Sequence, residues 1–294
     1  MSANTKKRIT IIGLGLIGGS LGLALKKAPA DWEITGYDRN YKTLRMALVR
    51  GAIDKEQRVL EAAVADANIV IIATPVMCIR DTMSAIASYL PPGCIVSDTG
   101  STKTHVMQWA EQYLPPTVEF IGGHPMAGKE QGGIEAAEEG LFREHIYCLT
   151  EGTQAKPDTV QEMLKLIAQI GAKPHFITAS QHDWLVAGIS HLPHLVSRAV
   201  MATTAENRDW ADMAKLASTG YRDITRLASG DPRMMSDICR TNGENIRIWV
   251  EDFISRLRKY CSTIEENDSE LEETFSKIKE DRESWLRTNN KSSA

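Results

Sequence analysis

One of the seven histidines, His124, lies in the run Gly122-Gly123-His124-Pro125-Met126-Ala127-Gly128, among glycines that would let two ligands approach one side chain. An imidazole, with an unperturbed pKa of about 6.5, is the side chain best suited to take a hydroxyl proton near neutrality while hydride leaves the same carbon. Hydride transfer needs a carrier, and the N-terminal segment carries the signature of a site for one. Gly13-Leu14-Gly15-Leu16-Ile17-Gly18 is a G-x-G-x-x-G, followed twenty residues after its last glycine by Asp38. Gly13 permits a tight turn, Gly15 lets the backbone approach a pyrophosphate, and Gly18 lets a helix pack closely on a strand. The helix opening at Leu16 and Ile17 turns its unpaired N–H groups and positive end toward the phosphates. A carboxylate at Asp38 would accept from the adenosine ribose hydroxyls and repel a 2′-phosphate, so NAD is the expected cofactor. Arg39 beside it can stack on adenine or bind a 2′-phosphate.

These residues need a scaffold, and the hydrophobic pattern supplies one. Arg8 to Ile12 reads as a buried strand, Leu16 to Lys27 as a helix, Glu33 to Tyr37 as a strand, and Tyr41 to Arg50 as a helix closed by Gly51. Asn68 to Ala73 is the continuous apolar run of a central parallel strand. Cys94 to Ser97, Val118 to Ile121, Leu141 to Leu149 and Lys173 to Ile177 are further strands, with helices at Asp81 to Tyr89, Lys103 to Tyr113 and Asp158 to Ile170. The alternation predicts an α/β fold of Rossmann type, a mostly parallel sheet covered on both faces. In such sheets ligands lie outside the carboxyl ends of the strands. Thr74 and Pro75, Ser101, and His124 all directly follow predicted strands.

From Ala179 onward apolar residues recur at helical spacing through Trp184 to Thr204, Trp210 to Leu227 and Met234 to Tyr260, with Trp184, Trp210 and Trp249 expected in the core. The expected organisation is a dinucleotide-binding domain over residues 1–178, an all-helical domain over 179–262, and a charged C-terminal helix and tail over 263–294. At 294 residues, two domains are the ordinary expectation.

Composition narrows the function classes. With 43 % hydrophobic and 24 % charged residues the chain is globular, neither disordered nor collagen-like. Its net charge of -4 resides in the stretch from Ile264 onward, where nine acids face five bases. The balanced remainder argues against nucleic acid or an anionic membrane as partner. Cys78, Cys94, Cys148, Cys239 and Cys261 are widely spaced with no Cys-x-x-Cys pair, so reduced thiols and a cytoplasmic address are expected. Lys6-Lys7-Arg8 followed by the run Ile9 to Leu25 imitates a secretory leader, but the glycines of that run have the better explanation above, and they leave it too broken to span a bilayer.

Gly13 to Gly18, Asp98-Thr99-Gly100-Ser101-Thr102-Lys103, His124-Pro125-Met126-Ala127-Gly128-Lys129-Glu130, His191-Leu192-Pro193-His194, Asp223-Ile224-Thr225-Arg226 and Ser229-Gly230-Asp231-Pro232 occur in the order of the prephenate/arogenate (cyclohexadienyl) dehydrogenase family. The chain resembles that family over roughly residues 8 to 260. The resemblance implies NAD-dependent oxidative decarboxylation of a cyclohexadienol, with His124 accepting the C4 hydroxyl proton and Ser101 bonded to that oxygen or to the imidazole. It further implies a substrate pocket with Arg226 on a carboxylate, Asp223 orienting it, His194 lining the site, and Glu130 gating it. A homodimer through the helical domain is also implied. Without the resemblance, Asp223 and Arg226 would read as a helix surface pair. His191 and His194 lack a third ligand at metal spacing, so no metal is expected. Two other classes remain: a β-hydroxyacid dehydrogenase, for which Lys215 is the one lysine available between Ala179 and Arg258, and an NAD-sensing protein without turnover.

Overall fold

The computed structural model describes residues 6–29, 32–152, 155–266 and 270–290. Its first element, β1 (Lys7–Ile12), runs into the glycine loop and then α1 (Leu16–Lys27). There follow β2 (Trp32–Tyr37), α2 (Tyr41–Val49), a two-residue β3 (Lys55–Glu56), α3 (Leu60–Val64), β4 (Ile69–Ile72), α4 (Val76–Ile86), β5 (Ile95–Asp98) and α5 (Thr104–Tyr113). The sheet is completed by β6 (Glu119–Pro125), β7 (Ile146–Glu151), α6 (Pro157–Gln169) and β8 (Lys173–Phe176). Strand order is β3-β2-β1-β4-β5-β6-β7-β8. Every pairing is parallel except β6 with β7.

The pleat explains the double cover. In β4, Ile69 and Ile71 join the core on one face with Leu21 and Leu25 of α1 and Leu166 and Ile167 of α6. Val70 and Ile72 join the other, with Ile79 and Met83 of α4 and Val106 of α5. All four strand residues are therefore buried, and the carboxyl ends of β1, β4, β5 and β6 emerge along one edge.

Several boundaries differ from the sequence reading. Helix α4 begins at Val76, not near Asp81, because Val76, Ile79, Met83 and Ile86 share one buried face and Pro75 sets the start. The strand expected from Leu141 starts only at Ile146. Leu141 and Phe142 are buried from a turn, and Glu144 takes a φ of 66°, which a strand cannot hold.

Each helix expected after the sheet is interrupted. In place of one helix from Trp184, α7 (Ala179–Val186) leads into a π-helical turn, Ala187–His191, and then α8 (Leu192–Ala205). Pro193 cannot donate to the carbonyl four residues back, and the wider turn, with Leu192 N–H bonded to Ala187, takes up the mismatch. Ala217 is extended between α9 (Trp210–Leu216) and α10 (Thr219–Thr225), which passes into a 3-10 turn, Arg226–Ser229. Asn242 separates α11 (Pro232–Thr241) from α12 (Gly243–Glu265). Trp184 is not core, at 38 % exposed, because His182, Asp183 and Val186 occupy the buried face of α7. Trp210 and Trp249 are half-buried.

Compactness divides the chain at 243/244. The first unit holds the sheet together with α7 to α11. The second comprises α12 from Glu244 onward and α13 (Glu270–Asn290), joined by an edge-on contact of Tyr260 with Phe275. Within it Phe275, Ile278 and Trp285 remain about half exposed. None of the described helices is long and apolar enough to cross a membrane.

Candidate active site

The glycine loop is shaped by contacts that leave little choice of residue. Gly13 has a φ of 91°, and a Cβ there would sit 2.7 Å from the Ala73 carbonyl; one on Gly18 would collide with the Gly13 carbonyl oxygen. On Gly15, by contrast, a Cβ would meet no protein atom within 4 Å, so protein packing does not account for that glycine. The approach of a phosphate group would, and α1 begins at this point with no side-chain cap and no acid in its first turn. Asp38 sits at the end of β2, accepting from Leu14 N–H at 2.8 Å with one oxygen and from Asn40 N–H at 2.8 Å with the other. Each oxygen keeps a lone pair for a further donor. Thr74, after β4, has a buried hydroxyl without a protein partner. Pro75 and Arg39 are exposed nearby in sequence. The loop, the acid and the hydroxyl fit a dinucleotide.

His124 is the penultimate residue of β6. A Cβ on Gly123 would stand 2.5 Å from the Asp98 carbonyl oxygen and 2.9 Å from the Tyr147 ring, so this glycine lets β6 press against its neighbours. Asp98 and Lys103, both fully buried, grip the same peptide. Lys103 Nζ forms an ion pair with Asp98 and donates to the Gly123 carbonyl at 2.7 Å, while Gly123 N–H donates to Asp98 at 3.0 Å. The backbone before His124 is thus held at both its polar atoms.

The imidazole is held from the other side by a pair that the sequence reading missed. His124 Nδ1 lies 2.8 Å from His182 Nε2, and His182 Nδ1 lies 2.8 Å from Asp183 Oδ1. Asp183 also accepts from the backbone N–H groups of Lys103 at 2.7 Å and Thr104 at 2.8 Å, capping α5 from a helix some 80 residues away. Burial opposes its charge, but the bonds from His182, Thr104 and Lys103 prevail and hold its carboxyl below the usual range. An ionised carboxylate only accepts, so His182 Nδ1 carries a proton, and in the neutral ring that leaves Nε2 bare. His124 Nδ1 must then donate, which leaves His124 Nε2 as a free base. Burial first, and then the neighbouring His182 ring, the Lys103 charge and the His191 ring, all of which disfavour a further proton here, hold His124 well below its ordinary value, so it is neutral at physiological pH. The signal available in sequence was the pair His182-Asp183 in the first turn of a helix.

The other expected residues lie on the loops after β5 and β6 and on the helices that follow the sheet. Ser101 is half-buried after β5, but His182, not Ser101, engages the His124 Nδ1. Arg226 opens the 3-10 turn and pairs with Glu130 of the loop after β6, while Asp223 is exposed on α10. His194 lies in the first turn of α8, its Nδ1 3.2 Å from Arg198. His191 is buried, accepts from the Asn242 amide at 3.3 Å, and is lowered by burial to about 4, so it is a neutral structural member.

Residues 21–176 match the profile of the prephenate dehydrogenase nucleotide-binding domain, and residues 178–280 that of the prephenate dehydrogenase dimerization domain. Prephenate dehydrogenase of Bacillus subtilis is 36 % identical over 269 residues, covering 90 % of this chain and 72 % of that protein. Among solved structures, prephenate dehydrogenase from A. aeolicus in complex with hydroxyphenyl propionate and NAD+ superposes with a TM-score of 0.89 at 27 % identity, covering 96 % and 99 % of the two chains. Synechocystis arogenate dehydrogenase superposes at 0.81 with 30 % identity, covering 95 % and 99 %.

Two outcomes are expected from the site itself. Asp183→Asn, by letting His182 take the wrong tautomer, should lower kcat about 100-fold or more with NAD affinity kept, the scale of a lost general base; unchanged kcat would remove the relay. Lys103→Met should destabilise the fold by about 3–5 kcal/mol by leaving the buried Asp98 unpaired, and adding Asp98→Asn should recover part of that loss in denaturant titrations.

Proposed function

The chain belongs to the prephenate dehydrogenase family, and from that premise we propose that it converts prephenate and NAD to 4-hydroxyphenylpyruvate, carbon dioxide and NADH, a step of tyrosine biosynthesis. The observation that carries the proposal is the chain from Asp183 through His182 to His124, which leaves one bare imidazole nitrogen at the carboxyl edge of the sheet. NAD, when bound, supplies the hydride acceptor. Gly13, Gly15, Gly18 and the N–H groups of Leu16 and Ile17 would hold its phosphates, Asp38 and Arg39 its adenosine, and Thr74 and Pro75 its other half.

His124 Nε2 takes the proton of the C4 hydroxyl as hydride leaves C4. The carbon-carbon bond to the ring carboxylate breaks, carbon dioxide departs, and its electron pair completes the aromatic ring, leaving a C4 phenol. Ser101 is the partner of the C4 oxygen in this reading, since Nδ1 of the imidazole is already taken. Arg226 presents a fork suited to a substrate carboxylate. Its pair with Glu130 is exposed on both sides, and such pairs are worth about 1 kcal/mol or less, so an entering carboxylate can displace Glu130 at little cost. His194 contributes a ring N–H to the same pocket, and Asp223 borders it.

The match of residues 178–280 to a dimerization domain supports a homodimer through the helical region. A cytoplasmic address and a domain boundary near residue 178 belong to the same proposal; the last described strand ends at Phe176, and from Ala179 onward the described elements are helices alone. A second substrate, arogenate, is favoured by the similarity to the Synechocystis arogenate dehydrogenase.

NADH formation measured with prephenate and arogenate side by side should give the higher kcat/KM for prephenate; the reverse order would reassign the substrate. His124→Asn should lose about 100- to 10,000-fold in kcat while still binding NAD. In saturation curves NAD should show the lower KM, by at least about tenfold, the scale of one repelled charge at Asp38; equal affinity for NADP would overturn that assignment.

A further inference from the structure

Arg198 lies on the second turn of α8 and is half-buried. Its guanidinium meets four acceptors. Nη1 lies 3.1 Å from the His194 carbonyl, 3.1 Å from the Leu227 carbonyl and 3.2 Å from His194 Nδ1, and Nη2 lies 3.0 Å from the Gly230 carbonyl. Among the described residues no acid is one of these partners, which are three main-chain oxygens and one ring nitrogen.

Two of the carbonyls belong to the turn that Arg226 opens. The Arg226–Ser229 turn is a single 3-10 turn closed by Gly230, whose N–H donates to Leu227 at 3.2 Å, and such a short element has little hydrogen bonding of its own. The guanidinium fork bridges carbonyls three residues apart while also reaching its own helix.

The contact with the ring has a chemical consequence. A guanidinium nitrogen never accepts a hydrogen bond, so a ring nitrogen 3.2 Å from it has to be the bare one. Its proton then sits on Nε2. Burial and the adjacent Arg198 charge both disfavour the imidazolium, against a smaller opposing influence of the Leu227 carbonyl, so the ring stays neutral.

We propose that Arg198 is a positioning residue for the carboxylate end of the substrate pocket: it holds the turn that presents Arg226 and fixes His194 in the Nε2–H tautomer. This rests on the reading of Arg226 and His194 as substrate ligands. It adds a residue that touches neither substrate nor cofactor and acts through two that do. The effect belongs to substrate affinity, because the proton-accepting centre at His124 is held by a separate set of bonds from Asp183, Asp98 and Lys103.

The test joins kinetics to a spectroscopic signature. Arg198→Met should raise the KM for prephenate about 10- to 100-fold, the scale of a lost charge-assisted hydrogen bond, with kcat within about threefold and the KM for NAD unchanged. Arg198→Lys, which keeps the charge but cannot span four acceptors, should recover only part of that loss. In the wild-type holoenzyme, long-range 1H–15N spectra should show His194 protonated on Nε2 with Nδ1 bare. A prephenate KM unchanged in a variant that still binds NAD overturns the proposal, as does an Nδ1–H tautomer at His194 in the wild type. If Arg198→Met does not fold, the wild-type tautomer decides. Failure of wild-type enzyme to turn over prephenate or arogenate would instead defeat the reading on which the proposal rests.

Discussion

The carboxylate of Asp183 is the group on which the arrangement of the first unit depends. It accepts the first N–H groups of α5, which has no cap from its own N-terminal residue, and it orients His182. The two tasks reinforce each other. The helix N-terminus supplies donors that keep a buried carboxylate ionised, and only an ionised carboxylate forces the proton order that leaves His124 Nε2 bare. The same residue that seats α7 against the sheet therefore also sets the chemistry at the end of β6. The Asp183 carbonyl extends the device, accepting from Asn242 at the break between α11 and α12 at 2.7 Å, so the last helix junction of the unit is tied to the same point.

Around this centre, electrostatic interactions are graded by burial in a way that matches their use. The Lys103–Asp98 pair is fully enclosed, and both partners also bind the Gly123 peptide, so their attraction acts at low dielectric and holds one conformation. The Arg226–Glu130 pair is open to water on both sides and therefore weak and exchangeable. Reversing these environments would defeat the enzyme. In the proposed reaction, a loosely held His124 would lose its alignment with the reacting carbon, and a buried Arg226–Glu130 pair would compete with a substrate carboxylate for the same cation.

The sequence revealed the strand-helix alternation, the glycine loop and the position of His124 because each rests on local chemistry: apolar runs bounded by turns, glycines at fixed spacing, an acid at the end of the second strand. It concealed whatever depends on distant partners. Nothing near Thr104 announces that its cap comes from residue 183, and the apolar period of the helices after Phe176 does not reveal the π turn that accommodates Pro193. Trp184 was misplaced for the same reason, since the buried face of α7 is chosen by what His182 and Asp183 bind and not by hydrophobicity. Asp223 and Arg226, three residues apart, suggested a local pair; the fold instead brings Glu130 to Arg226 from 96 residues away.

The polar residues hidden from a sequence reading share a feature that explains why they cluster here. His182, Asp183, Lys103 and Asp98 are each almost fully buried, where polar side chains are ordinarily costly, and each is hydrogen-bonded to the backbone or to another member of the group. Such a network is worth its desolvation only if every member is satisfied, which makes it rigid. Rigidity is what hydride transfer asks of its proton acceptor, because the hydroxyl proton and the hydride leave neighbouring atoms and the base must already stand where the first will go. A flexible histidine on a surface loop would be the stronger base and yet lack the fixed orientation. Burial of this network therefore leaves the His124 imidazole with one free nitrogen and one orientation, as its proposed role as base requires.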